Sequence, residues 1–491
     1  MLKITRRTLA GLLLAALAFS ASSLSPSESA LVSEITENTL KGHVSFLASD
    51  ALEGRDTPSK GLDVAGEYIA AQFRRFGLQP AGDDGYFQTA PYVLVTQPME
   101  TFELTVESGG ATYKAPKDRV MVSGSGAVNL SGVPAVKVDL SAEGSGLPSK
   151  ESVTGKAVIL LTGNQRGRAI MQKREALLAM DPAIVVSTGF TFRTRQTLKE
   201  AAAGTAKRAP VVTISDQDFS KVAAELADGA KVSASIQAPV EKPVTLRNVI
   251  ATLPGSDPEL KQTYVLLTAH YDHIGVNPSG ESDRINNGAN DDASGVATVL
   301  SLAEAFSKTP HRPKRTLVFM TYFGEEKGLF GSRYYAKHPV FPLVQTVANL
   351  NFEHMGRTDD NEGPREGKLT ASGFDYTTLG QALTDAGKAT GIHAWMDDKN
   401  SDAFFARSDN QALADAGVPA ITVAVAWIFP DYHRVGDHWE KLNYPNMEKE
   451  VRTCAVAVSR VADNPEAPKW NESSPKVASY VKAWQQLHGT H

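Results

Sequence analysis

Hydrophobic positions change period along this chain, and each change marks a different kind of element. From residue 31 to 79 they recur at helical spacing, as in Leu62, Ala65, Ile69 and Phe73, and Gly77 follows as a stop. Residues 102–106 alternate apolar and polar, which predicts a strand. Between Tyr113 and Val244 short apolar runs (133–138, 157–161, 183–187 and 210–214) are separated by Gly, Ser and Lys-Glu segments. Pro134 suits an edge strand or the first residues of a strand. This stretch reads as an inserted α/β or β-rich module without chemistry of its own, or as part of one continuous domain. From residue 247 strand and helix patterns alternate. Strands are expected at 264–269, 315–322, 344–352 and 419–425, and helices at 293–308, 375–390 and 447–462. Such alternation predicts a mixed, mostly parallel sheet with helices on both faces. Ligand sites in such sheets lie beyond the carboxyl ends of the strands. The domains expected are a catalytic domain (31–112 with 245–463), an insert (113–244) and a tail (464–491) that is Pro-rich and then weakly helical.

The first thirty residues differ from the rest. Lys3, Arg6 and Arg7 precede an apolar run at residues 9–19 and then Ser- and Ala-rich sequence. That layout predicts an export signal at residues 1–30, of the general secretory or the twin-arginine type, and a periplasmic or secreted protein. An uncleaved anchor is the other reading. The run is short for a membrane span, which needs about 20 residues, so no stable span is expected after signal removal. The single cysteine, Cys454, cannot form an internal disulfide and sits at helical spacing with Val451 and Val458, as a buried residue would. A formal net charge of −5 over 491 residues gives no reason to expect a nucleic-acid partner. The oligomeric state is open.

Chemistry-bearing residues follow the strands. The first strand runs into His270-Tyr271-Asp272, the second into Glu325-Glu326, the third into Glu353, and a loop with His433 follows the fourth. Between the first two lies Gly288-Ala289-Asn290-Asp291-Asp292-Ala293-Ser294-Gly295, at a helix start. His nitrogen and carboxylate oxygen are zinc ligands. Two ions about 3.5–4 Å apart need one ligand that reaches both, and Asp291 at a rigid turn is the candidate. His270 and His433 can cap one ion each, and Glu326 and Glu353 supply further charge. Asp272 could orient the His270 imidazole. Neighbours in an extended segment point different ways, so Glu326 can ligate while Glu325 takes a proton from the attacking water. Each motif alone has a plainer explanation: a surface turn for His-x-Asp, a helix cap for Asp-Asp, solvated charge for Glu-Glu. Order, spacing and strand-end placement together carry the case.

These blocks, with Gly324-Glu325-Glu326-x-Gly328-Leu329-x-Gly331-Ser332, Asn351-Phe352-Glu353-x-Met355-Gly356 and Tyr432-His433, resemble the M28 family of zinc peptidases over residues 247–462. Residues 47–55, Leu-Ala-Ser-Asp-Ala-Leu-Glu-Gly-Arg, resemble the opening of the family's longer members, and the insert resembles their protease-associated domain. The resemblance implies an αβα sandwich of phosphorylase/hydrolase-like type and an aminopeptidase acting on peptides with a free N-terminus. It implies two Zn2+ per chain bridged by Asp291, one held by His270 and Glu353, the other by Glu326 and His433. It also implies Glu325 as general base and a cis peptide between Asp291 and Asp292. Glu353 stands where the family usually has Asp. His354, Asp437-His438 and Asn410-Gln411 (after Ser408-Asp409, which matches a loop near the substrate) are less typical. Trp427 and Phe429 are candidates for the wall of a substrate pocket, with core or surface packing as the plainer reading. Two rivals share the fold: a single-zinc glutaminyl-peptide cyclase and a catalytically silent binding ectodomain. A serine hydrolase is disfavoured, because the catalytic region lacks Gly-x-Ser-x-Gly.

Overall fold

A computed structural model describes residues 23–124, 126–142, 144–163, 168–189, 196–201, 209–278 and 282–489. Most of the expected export signal therefore lies outside the described residues. Among the described residues no helix is long and apolar enough to cross a membrane. The chain divides into two compact units, one drawn from Met1–Ala90 and Leu246–His491, the other Pro91–Thr245.

The first unit holds a mixed sheet. Its strands run in the order His393–Ala394, Lys368–Ser372, Ala420–Ala424, Thr346–Phe352, Tyr264–His270, Thr316–Tyr322 and the end of Val240–Leu253. The centre is parallel: Tyr264–His270 pairs with both Thr316–Tyr322 and Thr346–Phe352, and the latter with Ala420–Ala424. Val240–Leu253 and Lys368–Ser372 join antiparallel. The central strands are almost continuously buried along their length, polar residues included, as expected for a sheet covered on both faces. Side chains alternate across it. Leu266, Val318 and Met320 pack with Tyr335, Leu413, Trp470 and Val477, while Phe319 meets Phe73 of the helix Lys60–Arg75. Trp470 and Val477 belong to the tail, which is thus part of the core; Trp470 Nε1 also donates to the Gly417 carbonyl at 3.0 Å.

Two boundaries differ from the sequence reading. The helix Pro26–Ser33, capped by Ser25, ties Glu28 to Arg460 at 2.7 Å and buries Leu31. The folded unit thus takes in residues expected to belong to the leader. The second unit begins at Pro91 rather than at 113, because Glu103–Ser108 pairs with Ala111–Lys114 and with Lys231–Ile236.

That second unit has its own eight-stranded sheet, Val120–Ser123 at one edge and Ala111–Lys114 at the other. Apolar clusters cover both faces, one around Ile159, Val186, Ile214 and Phe219, the other around Val158, Leu160, Val185 and Leu177. Pro134 is not at an edge. It lies inside the central strand Val128–Asp139, where pairing with Lys231–Ile236 gives way to parallel pairing with Ala157–Leu161 from Ala135 onward. A residue that lacks an N–H fits that change of partner.

The helix Tyr444–Asp463 closes the first unit and carries a buried acid. Glu450 is fully buried, and burial pushes its carboxyl up to about 8, with Asn446 and Lys449 pulling only partly back. A carboxyl raised above its unfolded value favours folding while protonated. Its contribution is present below the unfolded value of about 4.3 and is lost as pH rises toward 8. Glu450→Gln is therefore expected to raise Tm at pH 8.5 and to leave it nearly unchanged at pH 4, measured by thermal unfolding at both.

Candidate metal centre

Register brings the site together. His270 faces Tyr322 on one neighbouring strand, and Thr268 faces Asn351 on the other. Three strands thus end at one level, and residues at or just beyond their ends, His270, Glu325-Glu326 and Glu353, converge. Asp291 arrives from the turn Ala289–Ala293, directly before the buried helix Ser294–Lys308. Gly288 and Gly295 frame this turn. Gly288 has φ +62°, and a Cβ on it would lie 2.3 Å from the Asp291 carbonyl; a Cβ on Gly295 would lie 2.4 Å from the Asp292 carboxylate. The Asp291-Asp292 peptide is cis, as the resemblance implied.

The five ligand candidates form two groups that share Asp291. On one side His270 Nε2 is 3.3 Å from Asp291 Oδ1 and 3.4 Å from Glu353 Oε1. On the other, His433 Nε2 is 3.2 Å from Asp291 Oδ2 and 3.1 Å from Glu326 Oε2. Ligand atoms placed tetrahedrally about a zinc at roughly 2.0–2.1 Å are about 3.3–3.4 Å apart, so these distances are what ligands of one ion require. The side chains of His270, Asp291 and Glu326 are 0, 3 and 5% exposed, whereas that of His433 is 39% exposed. The centre is therefore closed by the sheet and opens to solvent past His433.

Its electrostatics also suit a cation. His270 Nε2 and Glu326 Oε1 are buried without a hydrogen-bond partner in the protein, a costly state unless another group satisfies them. Burial alone would raise Asp291, yet His270, His354 and His433 hold its carboxyl well below the usual range. Glu326 is likewise pushed up by burial and by Asp291, but His273 and His433 bring it down to about 2. Burial opposes a charge on His433, and the carboxylates of Asp291 and Glu326 overcome it, lifting the imidazole to about 11. Without a metal, this raised His contributes stability that is complete below about 6.5 and is lost as pH climbs toward 11. A metal must displace that proton. Zinc affinity is thus expected to tighten between pH 5.5 and 7.5, measured by chelator competition.

Asp272 has a second task besides the one expected of it. The His270 ring faces it, with Nδ1 3.2 Å from the Asp272 carbonyl and 3.6 Å from Oδ1. The same Oδ1 accepts from the backbone N–H of Glu325 at 3.0 Å. One carboxylate therefore positions a ligand and the segment that carries the candidate base. Burial raises Glu325 well above the usual carboxylate range, reinforced by Glu326, Glu353 and Asp409 and opposed by His270.

Three participants escape sequence reasoning. Asp437, noted only as atypical, accepts from the backbone N–H of Asn290 at 3.0 Å and of Asp291 at 3.1 Å, and so fixes the turn beneath the bridging position. Arg55, 1% exposed, donates to backbone carbonyls only: Tyr271 at 2.9 Å, Asn287 at 2.7 Å, Gly288 at 3.0 Å and Leu47. His273 stands 2.8 Å from Glu326 Oε1. The signals were present, in the Gly-Arg55 of the 47–55 motif and in the His three positions after His270. Trp427 and Phe429 do not line an open pocket. Each is 1% exposed; Trp427 stacks on Phe404, and Phe429 packs edge-on against His354 and Tyr432.

Residues 248–458 match the model of "Peptidase family M28". A probable zinc metalloprotease of Pyrenophora tritici-repentis is 32% identical over 203 residues, 40% of this chain and 43% of that protein. A vacuolar membrane protease of Schizophyllum commune is 38% identical over 109 residues, 22% of this chain and 11% of that one. The chain thus spans less than half the length of these curated relatives. Among solved structures, an aminopeptidase from Aneurinibacillus sp. strain AM-1 has a TM-score of 0.64 at 20% identity, covering 90% of this chain and 97% of that one. BSAP, a zinc aminopeptidase from Bacillus subtilis, has 0.54 at 17%, covering 88% and 97%. At such identities the structures establish a shared fold. The likeness to peptidase family M28 is thus carried by residues 248–458.

Proposed function

We propose that this protein is an exported aminopeptidase that removes N-terminal residues from peptides, with two zinc ions and Glu325 as general base. The observation that carries the reading is the pair of donor groups sharing Asp291, His270-Asp291-Glu353 and Asp291-Glu326-His433, at tetrahedral-edge separations of 3.1–3.4 Å. The layering supports a phosphorylase/hydrolase-like sandwich. The second unit is taken as a protease-associated-like module, since among the described residues its sequence range contributes no metal-competent group.

Zinc bound in these groups supplies an activated water and a Lewis acid for the scissile carbonyl. The chain does the rest. Asp437 and the two glycines hold Asp291 at the centre. Asp272 keeps His270 oriented and anchors the Glu325 backbone. Glu325, held above the usual carboxylate range by burial, receives a proton from the attacking water and passes it to the leaving amine. Glu353 stands ready for the substrate's free α-amino group, which makes the enzyme an exopeptidase. Peptide enters past His433, the open side. The apolar run at residues 9–19 after Arg6-Arg7 supports export.

The test is a pair of substrates. Leu-p-nitroanilide is expected to be hydrolysed and N-acetyl-Leu-p-nitroanilide is not. Equal cleavage of both would contradict an aminopeptidase, and cyclisation of an N-terminal Gln peptide with one zinc per chain would identify the cyclase.

A further inference from the structure

His273 has no assigned task, yet it is placed as a ligand would be. It is fully buried, and neither ring nitrogen has a hydrogen-bond partner in the protein. Its Nδ1 lies 2.8 Å from Glu326 Oε1 and 3.9 Å from Asp291 Oδ2. The Glu326 Oε1 atom is also without a hydrogen-bond partner, so the two atoms approach closely without satisfying each other. The two separations bracket the edge of about 3.3–3.4 Å in a tetrahedral zinc site, one nearer and one farther. His273, Asp291 and Glu326 offer ligand atoms that all lie within 4.8 Å of one another, as do His270, Asp291 and Glu353. The His433 ring meets His273 edge-on, with centroids 5.8 Å apart, and approaches the same pair of carboxylates.

We infer that His273 is a direct ligand of the metal held by Asp291, Glu326 and His433. This rests on the two-metal reading above and deepens it, because the two sites become unequal. The His433 side then has four protein donors, two of them imidazoles, which closes a tetrahedral zinc. The His270 side has three protein donors and keeps a position for water or substrate, the arrangement of catalytic zinc. Glu325, whose charge acts on His270, stands beside the open site. The division assigns anchoring to one ion and chemistry to the other. His354 is set apart: its Nε2 lies 3.7 Å from Asp291 Oδ1, whereas His273 also comes within 2.8 Å of a second carboxylate of the centre, at Glu326 Oε1.

Zinc X-ray absorption on the wild-type protein, with chelator competition on wild type, His273→Ala and His273→Gln, tests this. The wild type is expected to hold two zinc ions sharing three imidazoles. Both variants should keep the zinc on the His270 side, share two imidazoles at most, and bind the other zinc at least roughly 100-fold more weakly, beyond the usual effect of an outer-shell partner. The wild-type imidazole count stands by itself if a variant fails to fold. Two zinc ions with only two imidazoles, or variants that bind both ions with unchanged affinity, would overturn the His273 assignment while leaving the two-zinc reading intact. A folded wild type that takes up no zinc would overturn both.

Discussion

Glu325→Gln is expected to lower kcat for Leu-p-nitroanilide by roughly 10²–10⁴-fold, the range for losing a positioned general base, while zinc content stays unchanged. The substitution keeps shape and hydrogen-bonding capacity and removes the site that takes the proton. Glu325 is absent from both donor groups, so metal binding has no reason to fall. Its backbone N–H, rather than its side chain, makes the contact with Asp272, so the loop should also hold. Steady-state kinetics with zinc analysis on one sample separates the effects. Loss of zinc together with activity would make Glu325 a ligand. Retained activity would require another base, and Asp409, buried nearby and raised to about 7 mainly by burial, would be the first residue to examine.

Arg55→Met should destabilise the protein by on the order of 3–5 kcal/mol, the usual cost of removing one partner from a buried charged arrangement. It should also weaken zinc binding. The guanidinium joins three segments that must meet: the end of the first helical region through Leu47, the His270-Tyr271-Asp272 segment through Tyr271, and the Asp291 turn through Asn287 and Gly288. Its removal leaves those carbonyls without a donor, each at a desolvation cost of about 1–3 kcal/mol. Burial pulls Arg55 down only to about 10, with Asp272, Asp291, Asp292 and Asp437 favouring the charged form, so at neutral pH it is a fixed positive charge under an anionic cage. Arg55→Lys keeps the charge but cannot serve the carbonyls together, and it should recover only part of the loss. Denaturant unfolding of the metal-free variants checks the stability. Methionine at 55 within 1 kcal/mol of wild type would show that the carbonyls find other donors.

Legibility in the sequence followed local signals. Buried strands such as Tyr264–His270 and Thr316–Tyr322 announce themselves as apolar runs, and the residues after them are fixed by where those runs stop. That is why His270, Asp291, Glu326, Glu353 and His433 could be named together and then be found converging. What stayed hidden depends on pairing across long separations. Pro134 looks like an edge residue until the partner strands on each side are known. The second unit begins at Pro91 because Glu103–Ser108 pairs with Lys231–Ile236, more than a hundred residues on. Asp437 and Arg55 act on backbone atoms, so their targets carry no sequence signal, and only the 47–55 motif pointed to Arg55. Trp427 and Phe429 had two readings, pocket wall or packing, and burial decides for packing.

The most direct measurement is a zinc titration of the metal-free protein with Leu-p-nitroanilide turnover recorded at each step. Activity that rises with added zinc, reaches its plateau at two ions per chain and is abolished by chelation is the expected result. A plateau at one ion, or turnover that persists in the chelated protein, would contradict the two-zinc centre around Asp291.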